Sequence, residues 1–122
     1  MTAMKVFNEQ LQLLVDAQQE KVLSPLLCHG IVHVFMDTFD AGQAALREYL
    51  LQQQLEEEAR GTPKELLMDA YERILSVPEE IWLHMLQDRY HTILEESIWH
   101  KACRVLYEYI PAFKVLQQFM TS

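Results

Sequence analysis

A chain of 122 residues, half of them apolar and only three of them glycine, has the material for one packed domain without metals or disulfides. Its net charge of −8 argues against a nucleic-acid face, which needs cations for the phosphates, and against an anionic membrane surface. No apolar run reaches membrane-spanning length and no signal-peptide core follows Met1, so a cytoplasmic protein is expected, with Cys28 and Cys103 as free thiols.

Helix formers dominate and no strand-type alternation is sustained, so the expected fold is an all-α bundle of five to six helices in one domain, residues 1–122. The first helix is expected over about residues 2–19, where Val6, Phe7, Leu11, Leu14 and Val15 recur at intervals of three and four. Ser24-Pro25 starts a second helix, with serine as cap and proline in the first turn. This helix is apolar nearly all round, through Leu26, Leu27, Ile31, Val32, Val34, Phe35, Met36 and Phe39, which marks a central helix or one covered by a second subunit. A break is expected near residues 38–40, after which the pattern resumes from Ala41 and runs to Arg60, with Gly61 as the stop.

Thr62-Pro63-Lys64-Glu65 has the form of a capping box and opens a short helix that stops at Ser76. A second start of the same kind follows at once: Ser76 as cap, Pro78 in the first turn, and Glu79 and Glu80 at the positive end of the dipole. That helix is expected to reach about Glu95 and to bury Ile81, Leu83, Leu86, Tyr90, Ile93 and Leu94. A last helix begins near Glu96, and Pro111 is expected to bend or break it before the stripe Phe113, Leu116, Phe119.

Chemistry is sparse. His84, Asp88, His91 and Glu95 share one helical stripe and form a possible metal or small-molecule site, but the Glu-x-x-His spacing of carboxylate bundles is missing. Cys28 and His29 are neighbours whose side chains diverge by about 100° on a helix, too far to share a proton readily. No nucleophile elbow, phosphate loop or dinucleotide loop is present, so no catalytic residue, metal or cofactor is assigned. The acidic block is more telling. Between Gln54 and Glu80, eight acids face three bases, a net −5 that can steer a basic partner or simply be a solvated face. Trp82 and Met85 lie off the Leu83–Leu86–Tyr90 stripe, which makes them either core between helices or interface.

Tyr49-Leu50-Leu51, Leu67 to Tyr71 with Arg73, the run Ser76-Val77-Pro78-Glu79-Glu80-Ile81 with His84, and the ending Leu106-Tyr107-Glu108-Tyr109-Ile110-Pro111-Ala112-Phe113 form one further pattern. It resembles the amino-terminal domain of RsbU-type stress-response phosphatases, which is related in fold to the carboxy-terminal domain of the clock protein KaiA. The resemblance covers about residues 41–120, and residues 1–40 have no counterpart in it. It implies a bacterial, four-helix, dimeric, non-catalytic domain that binds a kinase-like signalling regulator through helix surfaces. Taken with the acidic block, this points to Glu72, Glu79, Glu80, Trp82 and Met85 as partner contacts, while the all-round apolar helix from Pro25 points to Leu27, Val34 and Phe35 for self-association.

Overall fold

The computed structural model describes residues 2–91 and 96–121, and within them every regular element is helical. α1 (Ala3–Ala17) lies against α2 (Pro25–Gln52), the longest element. A short α3 (Glu56–Ala59) leads into α4 (Pro63–Arg73) and α5 (Glu79–Tyr90). The chain then forms one rod from α6 (Ile98–Arg104) through a π-helical segment (Val105–Tyr109) into α7 (Ile110–Thr121). α2 packs on each of the other elements, so it is the central helix its all-round apolar sequence predicts.

The core is built around Phe35 of α2. Its ring lies 5.0 Å from Tyr109, 6.1 Å from Phe113 and 6.3 Å from Phe39, and Phe113 in turn meets Phe7 of α1 edge-on at 5.9 Å. One aromatic cluster thus ties α1, α2 and the final rod together. Gly42 lets it close: a Cβ there would sit 3.1 Å from the Phe7 ring.

The expected break at residues 38–40 does not occur. Thr38 is fully buried and its hydroxyl donates to the Val34 carbonyl at 2.7 Å, which satisfies the hydroxyl inside an unbroken helix. The break comes later, at Gln54, whose φ of 62° is left-handed. There Leu55 N–H donates to Leu50 O and Gln54 N–H to Leu51 O, the paired bonds of a Schellman stop with glutamine in the place usually held by glycine. The helix expected to reach Arg60 therefore ends at Gln52, and α3 is separate.

The capping box at Thr62 and Glu65 forms as its sequence predicts. The one at Ser76 does not: Pro78 is the residue before α5, its extended backbone starts the helix at Glu79, and no side chain caps it. The helix expected to begin near Glu96 starts at Ile98, with Ser97 as its cap. The expected course of α5 to Glu95, with Ile93 and Leu94 buried, falls partly outside the described residues. Pro111 does not break the last helix, which runs on from the π-helical segment to Thr121. The π-helical segment before it absorbs the missing donor, and Ile110 N–H reaches back five residues to Val105 O. The next bond of that pattern would need an N–H on Pro111. Gln18 Nε2 supplies it from the end of α1, donating to Leu106 O at 2.9 Å.

Candidate docking site

Two polar features stand out, one on the surface and one inside. The surface feature is a groove of about 400 Å³ beside α3 and α4, lined by Glu57, Glu58, Gly61, Glu65, Met68, Asp69 and Glu72. Its geometry follows from local sequence. Glu65, Asp69 and Glu72 fall at i, i+4 and i+7 on one face of α4, and the Leu55–Gly61 turn brings Glu57 and Glu58 alongside. Glu65 accepts from the Thr62 amide at 3.1 Å, and that backbone bond holds its carboxyl below the usual carboxylate range. Asp69 accepts from Arg73 Nε at 2.8 Å, which raises the already basic guanidinium further. Glu57, Glu58 and Glu72 are exposed.

The interior feature centres on Asp88, a buried carboxylate near the end of α5. It accepts from Arg104 Nε at 2.7 Å, Arg104 Nη2 at 3.0 Å and Tyr109 Oη at 2.5 Å. Arg104 also meets Glu96 at 2.6 Å, and these two carboxylates push its pKa upward. Burial, then the bond to Asp88, pushes the Tyr109 hydroxyl far above its ordinary value, so it stays a donor. A carboxylate with three donors inside a protein is a brace rather than a reactive group. Nearby, Arg89 makes a bidentate pair with Asp40 at 2.8 and 2.9 Å, which fixes α5 to α2.

Several sequence expectations are corrected by this arrangement. Trp82 and Met85 are fully buried, so they belong to the core and are closed to a partner; Trp82 Nε1 has no hydrogen-bond partner among the described residues. The inward face of α5 is Trp82–Met85–Asp88, one residue out of register with the expected Leu83–Leu86–Tyr90 stripe. The larger side chains win the interior, and Asp88 follows them because it arrives paired. Phe35 is likewise buried among rings and is closed to a second copy, whereas Leu27 and Val34 are half-buried and line an open groove. The metal stripe does not assemble. Asp88 is held by Arg104 and Tyr109, His84 and His91 are exposed, Glu95 lies outside the described residues, and no metal-holding cluster occurs among those described. Glu72, Glu79 and Glu80 are exposed as expected, but only Glu72 lines the groove.

Arg104, Tyr109 and Glu96 were not singled out by sequence reasoning. The available signal was Pro111 inside an otherwise helical run, which forces an irregular turn just where Tyr109 must be aimed. For Glu65 and Asp69 the signal was the helical spacing with Glu72.

No helix among the described residues is long and apolar enough to cross a membrane. Comparison with curated proteins and with solved structures gives no significant match. A family model does match, over residues 2–122, and so takes in the first forty residues as well as the rest. It is described as nucleotidyltransferase substrate binding protein like, a description of binding rather than catalysis and a different one from the RsbU-type domain. The chain belongs to this nucleotidyltransferase substrate binding protein-like family.

Proposed function

We propose that this chain is a non-catalytic binding domain that docks on a nucleotidyltransferase through the acidic groove beside α3 and α4. The observation that carries the reading is the gathering of five carboxylates, Glu57, Glu58, Glu65, Asp69 and Glu72, around one concavity with Met68 in its lining. A surface of this kind attracts a basic partner from a distance and seats a methionine contact once docked. An enzyme that handles nucleoside polyphosphates carries basic surface, and the family description favours such an enzyme over the kinase-like regulator implied by the RsbU resemblance. Glu79 and Glu80, exposed in the first turn of α5, add to the same acidic field.

Calorimetric titration of the chain into a nucleotidyltransferase of the same cells, at low and high salt, tests this. Binding that weakens as salt rises, and that is lost in a Glu57→Lys, Glu58→Lys, Glu72→Lys variant, supports the groove. Binding indifferent to both salt and charge reversal refutes it.

A second reading rests on a smaller, mostly apolar pocket of about 350 Å³ lined by Thr62, Pro63, Lys64, Leu86, Tyr90 and His91. The Tyr90 ring, the Lys64 ammonium and the His91 imidazole in one lining suit a planar anionic ligand, so here the domain holds the enzyme's nucleotide rather than the enzyme. Titration with a nucleoside triphosphate alone separates the two readings: heat that disappears in Lys64→Ala favours the pocket.

A further inference from the structure

We propose that Cys103 and Cys28 form a reversible oxidation site: hydrogen peroxide oxidises Cys103, and Cys28 then closes a disulfide that staples α6 to α2. The proposal is independent of the acidic groove.

Its first support is the register of the helices. α2 and the final rod lie side by side and run in the same direction. Phe35 lies 5.0 Å from Tyr109, a Cβ at Gly42 would lie 3.8 Å from Leu116, and Tyr49 lies 5.1 Å from Phe119. Two turns back from Phe35 stands Cys28, and about two turns back from Tyr109 is the step from Ala102 to Cys103. α2 and α6 bring Cα atoms within 8 Å of one another, close to the span that a disulfide bridges. The small side chain of Ala102, fully buried in α6, suits that close approach.

The second support is the thiols themselves. Both are free. Burial pushes the Cys28 thiol up, and the charge of Cys103 pushes it further, an effect that needs the two groups to be neighbours.

Unequal exposure assigns the roles. Cys28 is 1% exposed, whereas Cys103 is half-buried and open to a small oxidant. Peroxide therefore meets Cys103 first, and the sheltered Cys28 has Cys103 as its partner. The Cys103 thiolate attacks one peroxide oxygen: an S–O bond forms, the O–O bond breaks, and hydroxide leaves with the thiol's proton as water. The Cys28 sulfur then attacks the sulfenic sulfur: the S–S bond forms, the S–O bond breaks, and hydroxide leaves with the Cys28 proton as a second water. In sum, two thiols and one peroxide give one disulfide and two waters, and the two electrons lost by sulfur are gained by the peroxide. A dithiol reverses the bond by exchange and is itself left as a disulfide.

The test treats the full chain with hydrogen peroxide and follows it by mass spectrometry and thermal unfolding. The expected product has lost two hydrogens and yields one cross-linked peptide pair carrying Cys28 and Cys103. Its melting temperature should rise by about 5 °C or more and fall back with dithiothreitol. Cys28→Ala, which keeps the buried position apolar, should stop at a sulfenic acid on Cys103 that dimedone traps, with no such rise. Cys103→Ala should leave Cys28 unoxidised at the same dose. Two free thiols after excess peroxide overturn the proposal, as does a bond that forms between chains instead of within one. Oxidation of Cys28 in the Cys103→Ala variant as fast as that of Cys103 in the Cys28→Ala variant overturns the assigned roles.

Discussion

The would-be Cβ of Gly42 lies 3.1 Å from Cε1 of Phe7, closer than side chains ordinarily approach. Phe7 cannot step back, because it is fully buried and its ring is held edge-on by Phe113. Gly42→Ala should gain about 1 kcal/mol in helix propensity and lose about 1–3 kcal/mol to overpacking. The net expectation is a lower denaturation midpoint, recovered when Phe7→Leu makes room. A midpoint that rises in the single variant would contradict it.

Gln18 and Leu106 form the second such dependence. The Leu106 carbonyl has no helical donor because its π-pattern partner is Pro111, and the Gln18 amide fills the gap. Gln18→Ala should cost about 1–2 kcal/mol by stranding that carbonyl. Gln18→Ala combined with Pro111→Ala should cost less than the sum of the two, since the second change returns an N–H to the rod. A double-mutant cycle by urea denaturation reads the difference.

Asp88 is expected to be the most sensitive charged position. Tyr109→Phe keeps the ring against Phe35 and removes one donor, for a loss of about 1–2 kcal/mol. Asp88→Ala leaves both Arg104 and Tyr109 short of an acceptor, for a loss of about 3 kcal/mol or more. Equal losses in the two variants would mean that Arg104 contributes nothing to the brace.

The start of α4 should respond to acid. Glu65 has a folded pKa below its ordinary value because it accepts from the Thr62 amide. A depressed carboxylate contributes stability above its unfolded pKa and loses it as pH falls through the folded one. The stability gap between the native chain and Glu65→Gln should therefore be full at neutral pH and close as pH drops below the ordinary carboxylate range. Denaturation curves at neutral and acidic pH check this, and a gap that widens in acid would reverse the assignment.

Local signals were legible in the sequence where chemistry is local. Thr62 and Glu65 cap α4 as their spacing predicts, Ser24-Pro25 starts α2, and the stripe through Phe7, Leu11 and Leu14 faces inward. Signals that depend on distant neighbours were not. Thr38 reads as a breaker until its hydroxyl is seen bonded within its own helix, and Asp88 reads as a solvated or metal-facing acid until Arg104 and Tyr109 arrive from another segment. The rotation of α5 that buries Trp82 and Met85 follows from the same cause: periodicity gives two candidate faces, and tertiary partners choose between them. The acidic groove was half visible, as a charge excess without its shape.

The π-helical segment amounts to one residue spliced into a helix, and a spliced residue turns everything after it by about 100°. Before the splice the rod packs on α2 and offers Arg104 to Asp88; after it, Phe113 reaches Phe7 of α1. The segment thus acts as a phase shifter that lets one rod serve two neighbours lying in different directions. A chain shortened by one residue between Val105 and Glu108 could regain a regular helix and keep either engagement, but not both.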